Sequence, residues 1–180
     1  DRHVRHFAVQ GEGAPAGAAA GEVVVARYYS AALREHVQGG GRAIVLADAR
    51  SNEPVDAVRL PVGHIIARER TSWQGDWATS FAWVNKTGPL AGLPGGPLLE
   101  MEYESIMPDA VIEDVPTWLL KTHSWAGLAV GWVHKAVSLL VTARYGKGQL
   151  LVTTFRLTAE PLAQDAIART LFAGILELAQ

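Results

Sequence analysis

The chain of 180 residues contains no cysteine, and this absence removes several kinds of chemistry at once. A protein without cysteine forms no disulfide, holds no metal ion through thiolates and has no cysteine nucleophile. The same absence does not assign a compartment, because a cytoplasmic protein and a secreted protein fit it equally. The localisation therefore stays open between these two.

The chain also lacks an excess of charge of one sign. Its 16 Lys and Arg residues stand against 18 Asp and Glu residues, and the basic residues are scattered along the sequence. A domain that binds nucleic acid normally carries a basic patch, so nucleic acid is not an expected partner. No apolar run reaches the roughly 18 residues that span a bilayer, so a membrane is not an expected partner either.

Histidines at metal-ligand spacing are missing as well. His64, His123 and His134 lie far apart, and His3 and His6 fall in the small-residue N-terminal region. No His-x-His or His-Glu-x-x-His pairing places two ligands on one face. We expect no metal and no cofactor, and we interpret these histidines as solvent-facing or hydrogen-bonded residues.

The sequence has neither a serine nucleophile motif nor a phosphate loop. No Gly-x-Ser-x-Gly pentapeptide occurs, and Ser51, just beyond a predicted strand, is interpreted as a loop serine. Gly39-Gly40-Gly41 follows a predicted helix and precedes a strand, which is the opposite order from a phosphate-binding loop. These glycines are interpreted as a helix stop, and no catalytic residue is assigned.

What is present is the pattern of an α/β protein. Residues 1–21 are rich in Gly and Ala and predict a flexible N-terminal segment or linker. Residues 22–180 predict a single α/β domain. Because the chain begins at Asp1 and runs directly into this linker, we interpret it as a piece of a longer polypeptide.

The spacing of apolar residues predicts a βαβ unit at the start of this domain. A strand is predicted at 22–27, a helix from the N-cap Ser30 to Gln38, and a second strand at 42–48. Further predictions are short strands near 62–67, 98–106 and 110–114, strands at 126–133, 137–145 and 149–157 with a tight turn between the last two, and a final helix from Glu160 with Ile167, Leu171, Ile175 and Leu178 as its buried stripe.

Three carboxylates stand out in the irregular middle of the chain, residues 49–116. Glu100, Glu102 and Glu104 alternate with other residues, so on a strand they would share one face. Like charges that close would raise one another's pKa, as a general acid requires. The alternative is a solvated edge strand that its charge protects from aggregation.

A tryptophan block occupies the same region. Trp73, Trp77 and Trp83 lie beside Asp76 and Asn85. Flat aromatic faces next to carboxylates and amides suit a sugar ring, whose C–H face stacks on the indole while its hydroxyls find acceptors. The alternative is packing, because Trp73 and Trp77 are four residues apart and would share one helical face.

Three segments together carry a resemblance to a known domain. They are 31–46, with Gly39-Gly40-Gly41; the tryptophan block 73–83; and 145–157, which opens Tyr145-Gly146-Lys147-Gly148. They resemble the class I glutamine amidotransferase-like domain found toward the C-terminus of some bacterial glycoside hydrolases of the β-galactosidase or family 2 kind. The resemblance implies a flavodoxin-like three-layer sandwich, with a mostly parallel sheet and an antiparallel C-terminal hairpin.

The chain departs from that family at its catalytic residues. True class I amidotransferases have an elbow cysteine and a later His-x-Glu pair, and this sequence has neither. The resemblance therefore implies a non-catalytic accessory domain of a bacterial glycoside hydrolase, acting in assembly or in shaping a neighbouring active site. The implied partners are the other domains of the parent enzyme, with carbohydrate and a second copy of the chain as further candidates.

Two alternative functions follow from the residues themselves. The first is a carbohydrate-binding module that uses Trp73, Asp76, Trp77 and Trp83, which requires those rings to be exposed on one surface. The second is an independent hydrolase that uses carboxylates such as Asp76 or Glu102, which requires a deep pocket with two carboxylates about 5 to 10 Å apart.

Overall fold

The computed structural model describes residues 22–71, 80–130, 135 and 137–180. In chain order its strands and α-helices are β1 (Val23–Ala26), α1 (Ala31–Gln38), β2 (Arg42–Leu46), β3 (His64–Ala67), β4 (Ser80–Val84), β5 (Ala110–Glu113), α2 (Thr117–His123), β6 (Ser124–Val130), β7 (Ser138–Tyr145), β8 (Gly148–Thr153), α3 (Ala159–Gln164) and α4 (Ala166–Leu178). Short 3-10 helices lie at Arg68–Arg70, Gly88–Leu90 and Met101–Ile106. None of the helices described is both long and apolar enough to cross a membrane.

The chain has an α/β fold built on one mixed sheet, to which eight strands of the described residues belong. The main order is β1-β2-β8-β7-β5-β3, while β6 pairs with β7 and β4 pairs with β6. The sheet forks at Ser138, whose backbone is in register with both Ile112 and Gly127. The buried Ser138 hydroxyl donates a hydrogen bond to the Ala126 carbonyl at 2.9 Å, which satisfies this polar group at the fork.

The βαβ unit predicted from the sequence is confirmed. Ser30 caps α1, because its hydroxyl accepts a hydrogen bond from the Leu33 backbone N–H at 3.1 Å. Leu33 and Val37, one helical turn apart, are both buried on the same face. This face packs on β1 and β2, which pair in parallel.

Apolar cores lie on both faces of the sheet. Neighbouring residues of one strand point to opposite faces, so Leu151 and Val152 of β8 enter different cores, and both are fully buried. On one face α1 and α2 supply Leu33, Val37 and Leu119. On the other face α4 packs against the 3-10 helix at Gly88–Leu90. The strands in the middle are apolar on both sides because helices cover both.

The prediction of a mostly parallel sheet is wrong. Only β2 pairs in parallel with its neighbours β1 and β8, and the other strand pairings of the described residues are antiparallel. A parallel connection needs a long crossover, usually a helix packed on the sheet. The irregular middle of the chain supplies mainly turns and single-turn 3-10 helices. Its strands therefore pair antiparallel.

The strand predicted at 98–106 is also wrong. Only its first residues pair with β4, and Met101–Ile106 forms a 3-10 helix. Tyr103 and Ile106, three residues apart, are both buried, which fits the three residues per turn of a 3-10 helix. Glu102 and Glu104 lie on this helix, so the three glutamates do not form the period-two face that the general-acid hypothesis needs.

The final helix is divided in two. The sequence predicts one helix from Glu160, whereas α3 ends at Gln164 and α4 starts at Ala166. Asp165 between them is extended, and its carboxylate accepts from the Ile167 backbone N–H at 2.7 Å as the N-cap of α4. The Ser105 hydroxyl also donates to this carboxylate, which lowers the pKa of Asp165. Of the predicted stripe, Leu171 and Ile175 are buried, while Ile167 and Leu178 are half-buried.

The C-terminal end of α1 lies directly against the turn between β7 and β8. Gly146 in this turn has φ +63°, a conformation that glycine adopts without strain. The Lys147 backbone N–H donates to the Gln38 carbonyl at 3.2 Å, and the Gln149 N–H donates to the Gly41 carbonyl at 3.1 Å. A β-carbon on Gly148 would overlap the carbonyl oxygens of Val37 and Gly41. Only glycine at 148 permits this approach.

We expect Gly148→Ala to lower the free energy of unfolding by about 3 kcal/mol, because the new methyl group meets backbone atoms that cannot rotate away. The control is Gly96→Ala, at a site where a β-carbon has no atom within 4 Å. Urea unfolding followed by circular dichroism measures both. Equal stability of the two variants would contradict the close approach.

Candidate functional site

The carboxyl ends of the parallel strands are the first place to look for a site, because α/β proteins bind ligands there. Arg27 follows β1 and Asp48 follows β2. The Arg27 Nη2 atom lies 2.8 Å from Asp48 Oδ2, and both side chains are a little more than one-third exposed. This pair joins the ends of the two strands at the surface.

Ser51 lies beside that ion pair and is fixed by hydrogen bonds. Its hydroxyl donates to the Arg27 carbonyl at 2.8 Å and accepts from the Asp48 backbone N–H at 2.8 Å. The residue is only 7% exposed. A hydroxyl with both its proton and a lone pair bound to backbone holds the loop in place, which agrees with the interpretation of Ser51 as a loop serine.

The chain that follows Ser51 covers this edge of the sheet. The Val58 backbone N–H donates to the Tyr29 carbonyl at 2.9 Å, and the Ala31 N–H donates to the Asp56 carbonyl at 3.3 Å. The Asn52 side-chain amide donates to the Ile65 carbonyl at 2.7 Å. Residues 56–65 are thereby tied to the start of α1 and to the loop after β2, so the carboxyl ends do not form a deep open crevice.

Tyr29 is buried beneath this cover. Its side chain is 2% exposed, and its hydroxyl has no hydrogen-bond partner among the described residues. Burial, with a smaller contribution from the nearby Tyr145, raises the pKa of Tyr29 to about 12, and Arg34 acts in the opposite direction. The hydroxyl therefore stays protonated throughout the physiological range.

A second surface runs along β4. Ala82 and Val84 point into the core under α4, so Phe81 and Trp83 point to the other face of the sheet. The Trp83 indole lies over Gly127 of β6, where a β-carbon would come within 2.6 Å of the ring. Phe81 has no such cover and is 60% exposed. One of these rings is thus half-buried and the other faces solvent.

An open groove begins at the first residues of β4. It has a volume of about 470 Å³. We refer to it as the β4 groove, and its lining residues are Arg68, Ser80, Phe81, Ala82, Leu98, Leu99, Glu100, Met107, Pro108 and Leu128. Apolar side chains dominate this lining, and Arg68 and Glu100 add one charge of each sign.

Hydrogen bonds hold the walls of the β4 groove. Residues 97–99 extend along the outer edge of β4, where the Val84 N–H donates to the Pro97 carbonyl and the Leu99 N–H donates to the Ala82 carbonyl, each at 2.9 Å. The turn at Pro94, just before residues 97–99, is fixed by the Tyr103 hydroxyl, which donates a hydrogen bond to the Pro94 carbonyl at 2.6 Å. The groove is therefore formed before any ligand or partner arrives.

The structure places only part of the ligand-binding set predicted from the sequence. Trp83 lies on β4, whereas Trp73, Asp76 and Trp77 lie outside the described residues. Glu100 lines the β4 groove, but Glu102 does not. Across the described ranges no group of three His, Asp or Glu side chains converges as a metal site would require.

Sequence reasoning missed the exposed apolar residues Phe81 and Leu98 of the β4 groove and Met101, which follows the lining residue Glu100 in the chain. Phe81, Leu98 and Met101 are 60%, 44% and 78% exposed. The alternation of Ser80 to Val84 was a signal for β4, since a half-buried strand repeats every two residues. No comparable signal marks Leu98 or Met101, because their exposure depends on how residues 97–106 turn around β4.

The raised pKa of Tyr29 predicts a loss of stability at alkaline pH. The pKa of Tyr29 is near 10 in the unfolded chain and near 12 in the folded chain, so below pH 10 the tyrosine is protonated in both states and its ionisation does not weaken the fold. Its contribution is lost as the pH rises from 10 to 12, with a slope of at most about 1.4 kcal/mol per pH unit. Chemical unfolding between pH 8 and 12 measures this loss. Tyr29→Phe should flatten the decline, and an unchanged slope in the variant would contradict burial as its cause.

Comparison with known proteins adds no relative. No model of a known protein family matches this chain, and a search of curated proteins finds no significant match.

Proposed function

We propose that this chain is a non-catalytic accessory domain of a bacterial glycoside hydrolase and that it docks on the rest of that enzyme through the β4 groove. The observation that carries the proposal is the exposure of Phe81 and Leu98 in the lining of a preformed groove. Contiguous apolar surface of this kind is uncommon on isolated proteins and marks interaction sites. The docked state would remove these side chains from water.

The composition of the groove supports docking on protein. Protein interfaces combine an apolar centre with a polar rim and are enriched in aromatic residues, Met and Arg. Phe81 and Met107 provide the aromatic residue and the methionine of that pattern, while Arg68 and Glu100 provide charged groups. An interface that shaped a neighbouring active site would need this kind of fixed surface, because a mobile one would not hold its partner in one orientation.

The carboxyl edge of the sheet supports a non-catalytic role. Ser51 is bound to backbone, and residues 56–65 cover the edge. The sequence also lacks the cysteine on which class I amidotransferases depend. An accessory role in assembly accounts for a retained fold without that chemistry.

The finer fold assignment is part of the same proposal. We infer a flavodoxin-like, amidotransferase-like core made of β1, α1, β2, β8 and α4. The parallel order β1-β2-β8 and the helices on both faces of these strands support it. The antiparallel strands β3 to β6 would then be an elaboration that builds the docking surface.

Hydrogen exchange tests the docking role. The gene product that carries this chain would be compared with the isolated chain, and we expect slower exchange at β4 and at residues 97–101 in the longer protein. Phe81→Ser should remove that protection and lower glycosidase activity of the longer protein several-fold, because an exposed polar residue replaces an interface anchor. Both proteins would be assayed with a panel of nitrophenyl glycosides.

Val55→Ser is the matched control for this experiment. Val55 is fully exposed, like Phe81, but it lies in the loop after β2 and does not line the β4 groove. The control should leave exchange and activity unchanged. Equal exchange at β4 in the isolated and longer proteins would reject docking through this groove.

A second candidate function is carbohydrate binding, and one observation favours it. Phe81 and Trp83 are two residues apart on one strand, so their rings share one face of the sheet, and Ala129 beside them is exposed. Aromatic rings on a flat, small-residue surface suit the C–H faces of sugar rings. Such a module would bind glycans for the parent enzyme.

Intrinsic tryptophan fluorescence tests sugar binding. The isolated chain would be titrated with galactosides and glucans, and a sugar-binding module should give saturable quenching that Phe81→Ala weakens at least about tenfold through lost stacking. Trp118→Phe is the control, because Trp118 is 65% exposed on α2, remote from β4 in the sequence. A flat response over the whole panel would reject this function and leave docking in place.

A further inference from the structure

A second opening lies between residues 57–60 and the start of β3, and it shares no lining residue with the β4 groove. Its volume is about 320 Å³, within the range of small-molecule sites. We refer to it as the 57–65 cleft, and the lining residues used below are Asn52, Val58, Arg59, Leu60, His64 and Ile65. None of these residues belongs to the docking surface proposed above.

Both walls of the 57–65 cleft are fixed. One wall is held by the hydrogen bond from the Val58 N–H to the Tyr29 carbonyl, and the other by the Asn52 amide on the Ile65 carbonyl at 2.7 Å. At the rim Gly63 has φ +143°, and a β-carbon there would lie 2.5 Å from the Glu113 carbonyl oxygen. The backbone thus approaches β5 more closely than any other residue type would allow.

The cleft continues inward. Asn52, Val58, Leu60 and Ile65 also line a smaller, more enclosed space that reaches Tyr29. Tyr29 is only 2% exposed, and its hydroxyl has no hydrogen-bond partner among the described residues. This inner space is too narrow to admit an atom the size of water, so a ligand would occupy only the outer part of the cleft.

The mouth of the cleft presents one guanidinium group. Arg59 is exposed at the lining and makes no ion pair among the described residues. His64 also lines the mouth, and its Nδ1 atom lies 3.5 Å from the Asp114 carboxylate. Val58, Leu60 and Ile65 form an apolar floor below these groups. The cleft therefore combines one available guanidinium with an apolar interior.

We propose that the 57–65 cleft binds a small organic carboxylate. The Arg59 guanidinium pairs with the carboxylate in the two-point geometry that this side chain favours. The apolar body of the ligand lies on Val58, Leu60 and Ile65. The site is independent of the β4 groove and does not require that the chain be an accessory domain.

Nuclear magnetic resonance titration of the isotopically labelled full chain tests this proposal. Benzoate is the probe, benzyl alcohol is the probe without the charge, and inorganic phosphate is the anion without the apolar body. Benzoate should shift the amide signals of Asn52, Val58, Gly63 and Ile65 in a saturable way. The other two compounds should bind at least about tenfold more weakly, because each lacks one of the two recognised features.

Arg59→Gln is the decisive variant, and Arg50→Gln is its matched control. Both remove one exposed positive charge, but Arg50 does not line the cleft. Arg59→Gln should weaken benzoate binding about tenfold or more, and Arg50→Gln should leave it within about twofold. Unchanged melting temperatures would show that both variants fold.

Three results would overturn the proposal. The first is the absence of benzoate-induced shifts at these amides up to 10 mM, roughly the weak limit for a useful small-ligand site. The second is equal binding of benzyl alcohol, which would make the cleft an apolar cavity only. The third is an equal loss of benzoate binding in the Arg59 and Arg50 variants, which would make the effect one of net charge. Glycosidase activity and exchange at β4 are not read out here, so failure of this proposal leaves the docking proposal untouched.

Discussion

Strand β8 is hydrogen-bonded along both of its edges, in parallel to β2 and antiparallel to β7, and among the described strands it joins the two halves of the sheet. Leu150, Leu151 and Val152 are fully buried, with side chains in the cores of both faces. The turn before β8 packs against the end of α1 with no room for a β-carbon at Gly148. Register, core packing and the position of α1 are therefore coupled, and displacing this strand would disturb all three.

The carboxyl ends of the parallel strands β1 and β2 are closed off by the residues that follow them. The ends of β1 and β2 are joined by the Arg27–Asp48 ion pair. They are also joined by the Ser51 hydroxyl, which is hydrogen-bonded to the backbone of Arg27 after β1 and of Asp48 after β2. Residues 56–65 then cover the same edge. A site in which a nucleophile must be free and exposed cannot be built from groups that already hold the loops together. The two candidate surfaces, the β4 groove and the 57–65 cleft, are therefore lined by residues other than Arg27, Asp48 and Ser51.

Sequence patterns predicted those elements whose residues pack in a regular period. Val23 to Ala26 and the Ser30-capped helix follow the spacing of a buried strand and an amphipathic helix, and both occur. Residues 98–106 also alternate in polarity, but Tyr103 and Ile106 are buried three residues apart in a 3-10 helix. Tertiary packing therefore determines the conformation of this segment. The exposed Phe81 and the cleft at Arg59 depend on long-range contacts, and local spacing does not encode them.

Both candidate surfaces come from the irregular middle of the chain for a physical reason. The regular elements have their apolar faces covered by one another, so little is left on them to bind a partner. Loops and 3-10 helices cannot bury every apolar side chain, and here they leave Leu98 and Met101 exposed and form the walls around Arg59. A rigid sheet that holds such loops is a common way to position binding residues. Because the two surfaces share no lining residue, single substitutions in one should leave the other intact.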